Sequence, residues 1–142
     1  FAQTFLDAAG VEQPADMQGR SLLPLLQSTD EQPWRDSVYY HFYENPGWSF
    51  VPRHYGVRTD RYKLIHYYRI GQWELFDLEQ DPDELDNRID DPALASIRRE
   101  LETELDRLRA HYKVPAEDPE PTLWEKLVFY AINWGMSNLW VD

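Results

Sequence analysis

Residues 53–87 read RHYGVRTDRYKLIHYYRIGQWELFDLEQDPDELDN, three runs rich in β-branched and aromatic residues with two turn signals between them and an acidic turn behind. Tyr55–Thr59, Tyr62–Tyr68 and Trp73–Leu78 carry the side chains that fill a pleated, half-buried surface, which predicts three strands. Asp60-Arg61 and Ile70-Gly71-Gln72 have the length and composition of hairpin connections. Along the middle run, Tyr62, Leu64, His66 and Tyr68 share one face, and Lys63, Ile65 and Tyr67 share the other. Neither face is purely polar, so this strand should be covered on both sides.

Working outward, residues 36–43 (DSVYYHFY) predict a further strand near Ser37–Tyr43. His41, between Tyr40 and Phe42, reads as a packed, hydrogen-bonded residue rather than a ligand. Glu44 to Pro52 reads as a loop turning at Pro46-Gly47, with Trp48 and Phe50 either roofing the core or exposed at a binding surface; roofing comes first. Downstream, Asp91 is a natural N-cap with Pro92 at the first helical position. Leu94, Ile97, Leu101, Leu105, Leu108 and Tyr112 recur every three or four residues, which predicts an amphipathic helix over Pro92–Tyr112. Its leucine stripe should lie on the sheet, and Arg98, Arg99, Glu102, Asp106 and Arg109 should face water. At the start of the chain, Phe1, Phe5, Leu6 and Ala9 fall on one helical face, and Gly10 is placed to end that helix in the left-handed conformation. Ser21 can cap a second short helix with Leu22, Leu23, Leu25 and Leu26, and Pro24 is tolerated in its first turn. These elements predict an α+β fold, a small, mostly antiparallel sheet covered by a C-terminal amphipathic helix.

Lys and Arg number 14 against 26 Asp and Glu, a formal charge of −12. Such an excess repels nucleic-acid phosphates and anionic membranes, and sets both aside as partners. An anionic ligand would need a local basic patch. The chain has no cysteine, so it forms neither a disulfide nor a thiolate zinc site. Val114–Pro121 is a Pro-rich acidic linker. The segment after it, TLWEKLVFYAINWGMSNLWVD, opens on Thr122 and Glu125 at capping-box spacing. Glu125, Lys126, Asn133 and Asn138 interrupt its apolar run, so it is a poor membrane span. Trp124, Trp134 and Trp140 suit an interface, but no Lys/Arg cluster accompanies them. Packing on a parent domain, or an oligomer contact through residues 122–142, is expected instead.

No serine stands in a Gly-flanked nucleophile elbow, and no Gly-rich loop is present to cradle phosphate. Asp77, Asp81, Asp83, Glu84 and Asp86 lack the EF-hand spacing and its central Gly, so they are expected to cap backbone groups. Arg53-His54-Tyr55, followed by Arg58, Arg61 and Lys63, is the one cationic concentration. An Arg fork with a His donor can build an anion-binding edge. Pairing of Arg53 and Arg58 with carboxylates such as Glu44 is the alternative, and the residues alone put it ahead.

GVRTDRYKLIHYY (Gly56–Tyr68) and WELFDLEQDPDELDN (Trp73–Asn87) resemble the C-terminal subdomain of the formylglycine-dependent sulfatases. Phe5–Gly10 and Met17–Leu26 resemble the passage that closes that family's large α/β domain, and the likeness runs roughly from Phe1 to Tyr112. The resemblance implies that residues 1–30 end the large domain with its closing helix, that 31–113 form the subdomain, and that 114–142 are linker and aromatic tail. It also implies a sulfuric ester hydrolase of the alkaline-phosphatase-like superfamily, in a periplasmic, secreted or lysosomal setting. Calcium and formylglycine would belong to the preceding catalytic domain and neither to this segment, which alone should not be catalytic. Arg53-His54-Tyr55 resembles the "Arg-His-Tyr-Gly" wording of glycan sulfatases, which implies that His54, with Arg53 and Tyr55, contacts a sulfated carbohydrate. The rivals are a non-catalytic interaction module and the tail of a related phosphohydrolase.

Overall fold

β-Formers alternating across a pleat give four strands: β1 (Ser37–Phe42), β2 (His54–Thr59), β3 (Tyr62–Tyr67) and β4 (Gln72–Asp77). They form one sheet in the order β1-β2-β3-β4, and every neighbouring pair is antiparallel. The computed structural model describes residues 1–30, 32–44, 51–118, 122–124, 126–128 and 130–131. The Pro46-Gly47 turn, Trp48, Phe50, Glu125, Trp134 and Trp140 lie outside the described residues. The chain divides between Asp36 and Ser37 into two units.

In the first unit, α1 (Ala2–Ala8) ends as its sequence predicts, with Gly10 at φ 66°. The Gly10 amide donates to the Asp7 carbonyl at 3.0 Å and that of Val11 to Leu6 at 2.9 Å, satisfying carbonyls the last turn leaves open. In α2 (Leu23–Gln27), Pro24 sits in the first turn and Ser21 Oγ accepts from the Leu23 amide at 3.1 Å. The Leu22 amide reaches back to Thr4 Oγ1 at 3.0 Å and ties the two helices together.

In the second unit the sheet's core face is set by register. Tyr39, Val57, Leu64 and Leu75 lie side by side across the four strands. Against them packs α3 (Ala95–His111), through Leu101, Leu105 and Leu108. Val57, Leu64 and Leu75 are fully buried, as expected where a helix stripe meets a strand face. Asp91 caps this segment by accepting from the Ala93 amide at 2.8 Å, and Pro92–Leu94 form a 3-10 turn before the α-helix begins. Of the charges expected to face water, Arg98 and Glu102 are half-buried and pair with each other at 2.9 Å, and Arg109 turns toward the sheet. Arg109 is half-buried rather than turned to water, with its guanidinium 4.4 Å from the Tyr55 ring centroid. Its long apolar stem lets it fold back onto the sheet.

Local side chains hold the strands in register. Thr59 Oγ1 accepts from the Tyr62 amide at 2.9 Å and donates to the Tyr62 carbonyl at 3.2 Å, closing the Asp60-Arg61 hairpin. Asn87 lines the edge of β4, where its Oδ1 accepts from the Leu75 amide and its Nδ2 donates to the Trp73 carbonyl. A strand edge would otherwise expose those groups. Asp81 likewise accepts from the Asp86 amide, so acidic-turn residues cap backbone groups as expected. On the sheet's second face, Ile65 and Phe76 are buried and Lys63 pairs with Glu84. Both faces of β3 are therefore covered. No helix among the described residues is long and apolar enough to cross a membrane.

Candidate functional site

β1 and β3 end, and β2 and β4 begin, at one end of the sheet. Three of the chain's four histidines, His41, His54 and His66, fall there. Strand alternation divides the sequence-predicted trio. Arg53 and Tyr55 point to the core face and are buried, whereas His54, half-buried, points to the other.

The His54 ring stands among aromatics, with centroids 5.3 Å from Phe42, 5.1 Å from Tyr67 and 6.2 Å from Tyr40. Its Nδ1 lies 2.9 Å from the Pro52 carbonyl oxygen. A carbonyl only accepts, so Nδ1 carries the proton, and Nε2 has no hydrogen-bond partner among the described residues.

On the core face the polar groups are paired one after another. Arg53 Nη1 donates to Asp118 at 2.9 Å, an ion pair in which the two side chains are only 10% and 7% exposed. Arg69 Nη2 reaches the same carboxylate at 3.1 Å, and Tyr68 Oη donates to it at 2.9 Å. Burial alone would raise the Asp118 pKa, but the donors Arg53 and Tyr68 hold it below the usual carboxylate range. Because Tyr68 donates to a carboxylate, its oxygen accepts from His41 Nε2 at 3.2 Å, and His41 Nδ1 accepts from Tyr39 at 2.9 Å. Burial pushes the His41 pKa down, with Asp118 opposing, so this ring is neutral at pH 7. His41 is thus the packed, hydrogen-bonded residue that its sequence setting predicts.

A second group adjoins it. Arg109 Nη1 donates to Tyr55 Oη at 3.3 Å, and Tyr55 Oη stands 2.9 Å from His66 Nδ1. His66 stacks on Trp73 with centroids 3.8 Å apart and the rings 6° from parallel. Arg61 makes a two-pronged contact with Asp77 at 3.1 and 2.9 Å, while Arg58 is exposed. Most of the cationic concentration thus meets carboxylates of this chain, although the partner of Arg53 is Asp118 and not Glu44. Among the described residues, no group of three or more His, Asp or Glu stands together to hold a metal ion.

What this edge can offer chemically is hydrogen bonds and aromatic surface. Asp118 is the functional candidate that sequence reasoning missed. It lies in a Pro-rich acidic linker, where no periodicity marks one carboxylate among several.

A family model described as N-sulphoglucosamine sulphohydrolase, C-terminal, matches residues 1–111. The N-acetylglucosamine-6-O-sulfatase of Bacteroides thetaiotaomicron is 44% identical over 141 residues, covering 97% of this chain and 25% of that protein. The Delta 4,5-hexuronate-2-O-sulfatase of the same organism is 30% identical over 122 residues, covering 83% of this chain and 25% of that protein. A solved structure of a protein bound to its substrate D-glucosamine-2-N,6-O-disulfate superposes with a TM-score of 0.79 at 44% identity, covering 85% of this chain and 25% of that one. The chain therefore spans about a quarter of the length of the curated relatives it matches.

Proposed function

The chain belongs to the N-sulphoglucosamine sulphohydrolase C-terminal family, a sulfatase subdomain of the alkaline-phosphatase-like superfamily, and from that premise we propose that it is the C-terminal portion of an enzyme that hydrolyses sulfate esters of a sulfated glucosamine-containing glycan. The observation that carries this reading is the near-complete alignment of the chain with an N-acetylglucosamine-6-O-sulfatase. In it, residues 1–30 complete a large catalytic domain and residues 31–113 form the subdomain beside its cleft. Calcium and formylglycine would sit in that catalytic domain, where the hydrated aldehyde would supply the nucleophile. This chain's own part is to bind and orient the sugar.

His54 is proposed as the principal contact. Its Nδ1 bond to Pro52 fixes the ring and leaves Nε2 for a sugar hydroxyl or sulfate oxygen. Arg53 and Tyr55 belong to the same proposed edge as further substrate-binding residues. Both side chains already carry bonds within the chain, so of the three it is His54 whose ring keeps an atom for a ligand.

His54→Ala in the full-length enzyme is expected to lower kcat/KM on the glycan about tenfold, the loss of one good hydrogen bond. Turnover of a small aryl sulfate, which has no sugar to hold, should stay within about twofold of the parent. An equal loss on both substrates would remove His54 from the sugar site.

A further inference from the structure

The Asp118 carboxylate collects donors from three residues at two places in the chain: Arg53, directly before β2, and Tyr68 and Arg69, directly after β3. Through Tyr68 it is linked to His41 and Tyr39 on β1. The same strand ends hold the His54 ring from the opposite face. Phe42 closes β1, Tyr67 closes β3, and Pro52 precedes Arg53. One carboxylate after α3 thus pins the three strand ends between which His54 stands.

We propose that Asp118 is a positioning residue for the substrate-contact edge, setting the place of His54 by clamping Arg53 and the end of β3. The inference rests on the reading of His54 given above. Asp118 and His54 lie on opposite faces of the sheet, so Asp118 acts through the backbone of Arg53 and not by touching the ligand. Its carboxylate is nearly buried and takes three charged or hydroxyl donors, which gives it the rigidity that a positioning role demands. Displacement of a contact group by a fraction of an ångström weakens binding without removing any group from the site.

The test is Asp118→Asn in the full-length enzyme, assayed on the glycan and on a small aryl sulfate. The amide keeps the size and loses the charge that holds Arg53 and Arg69. The KM for the glycan should rise about fivefold while kcat changes less than about twofold, and both constants on the aryl sulfate should hold. Asp118→Glu, which restores the charge, should recover part of the loss. If Asp118→Asn does not accumulate as folded protein, Tyr68→Phe is the second variant, since it deletes one donor to Asp118 and keeps the ring on Tyr55. It should shift KM in the same direction by a smaller factor. An unchanged glycan KM, or a parallel loss on both substrates, would overturn the proposal. A glycan-selective defect in His54→Ala with Asp118→Asn and Tyr68→Phe both silent would overturn this inference alone. A silent His54→Ala would remove the reading it rests on.

Discussion

Leu101→Asp is expected to unfold residues 37–118, with α3 detached from the sheet and open to protease. Leu101 is 5% exposed in the cluster of Tyr55, Val57, Leu64, Leu75, Leu105 and Leu108. Losing its side chain from that cluster costs about 3 kcal/mol in transfer and cavity terms. An unpaired carboxylate placed there adds several kcal/mol of desolvation, or takes up a proton instead. Together these approach the whole stability of a domain this size, about 5–15 kcal/mol. Arg99→Asp, at an exposed position two residues earlier on the same helix, is the control and should leave the thermal melt nearly in place. Limited proteolysis within α3 and a thermal melt measure the effect. An unaltered melt of Leu101→Asp would mean that the helix presents a different face to the sheet.

Gly56→Val should destabilise the sheet by about 3 kcal/mol, the upper end for overpacking a core. A Cβ at Gly56 would come 2.4 Å from the Leu64 carbonyl oxygen and 2.3 Å from Tyr40 Oη. The tyrosine can swing aside, but a carbonyl in the β2–β3 ladder cannot, so the pairing of Gly56 with Ile65 would have to open. Tyr40 covers Gly56 closely enough that its hydroxyl is buried, and it has no hydrogen-bond partner among the described residues. Gly56→Ala should fall between the parent and the valine variant, because its one methyl already makes both contacts. A melt within about a degree of the parent for Gly56→Val would show that β2 and β3 are not this close at Gly56.

Much of this architecture was legible in the amino-acid sequence because it rests on local chemistry. Tyr55–Thr59, Tyr62–Tyr68 and Trp73–Leu78 come within a residue of the observed strands, since β-formers and a two-residue turn decide them nearby. The boundaries moved at His54 and Gln72, which join strands because pairing extends the ladder beyond the residues that prefer it. Helix α3 was readable from its leucine spacing. Arg109 was not, because a charge pattern assigns a residue to water and takes no account of an aromatic ring within reach of a long side chain.

The candidate site was legible only in part. Arg53-His54-Tyr55 drew attention as a cationic start to a strand, and alternation alone separates His54 from its two neighbours. The partner of Arg53 could not be read, since Asp118 lies 65 residues away in a segment that carries no pattern. Contacts at such separation come from the path of the chain after α3, which propensity does not encode.

We propose that these residues complete a sulfatase of several times their mass. The most direct measurement is the intact mass of the native gene product, with a peptide map for formylglycine and an assay of sulfate release from 6-O-sulfated glucosamine. The expected product is a protein several times the 17.0 kDa of this chain, carrying the aldehyde and releasing sulfate. A native product of 17.0 kDa with neither aldehyde nor sulfate release would contradict it and leave a stand-alone binding domain.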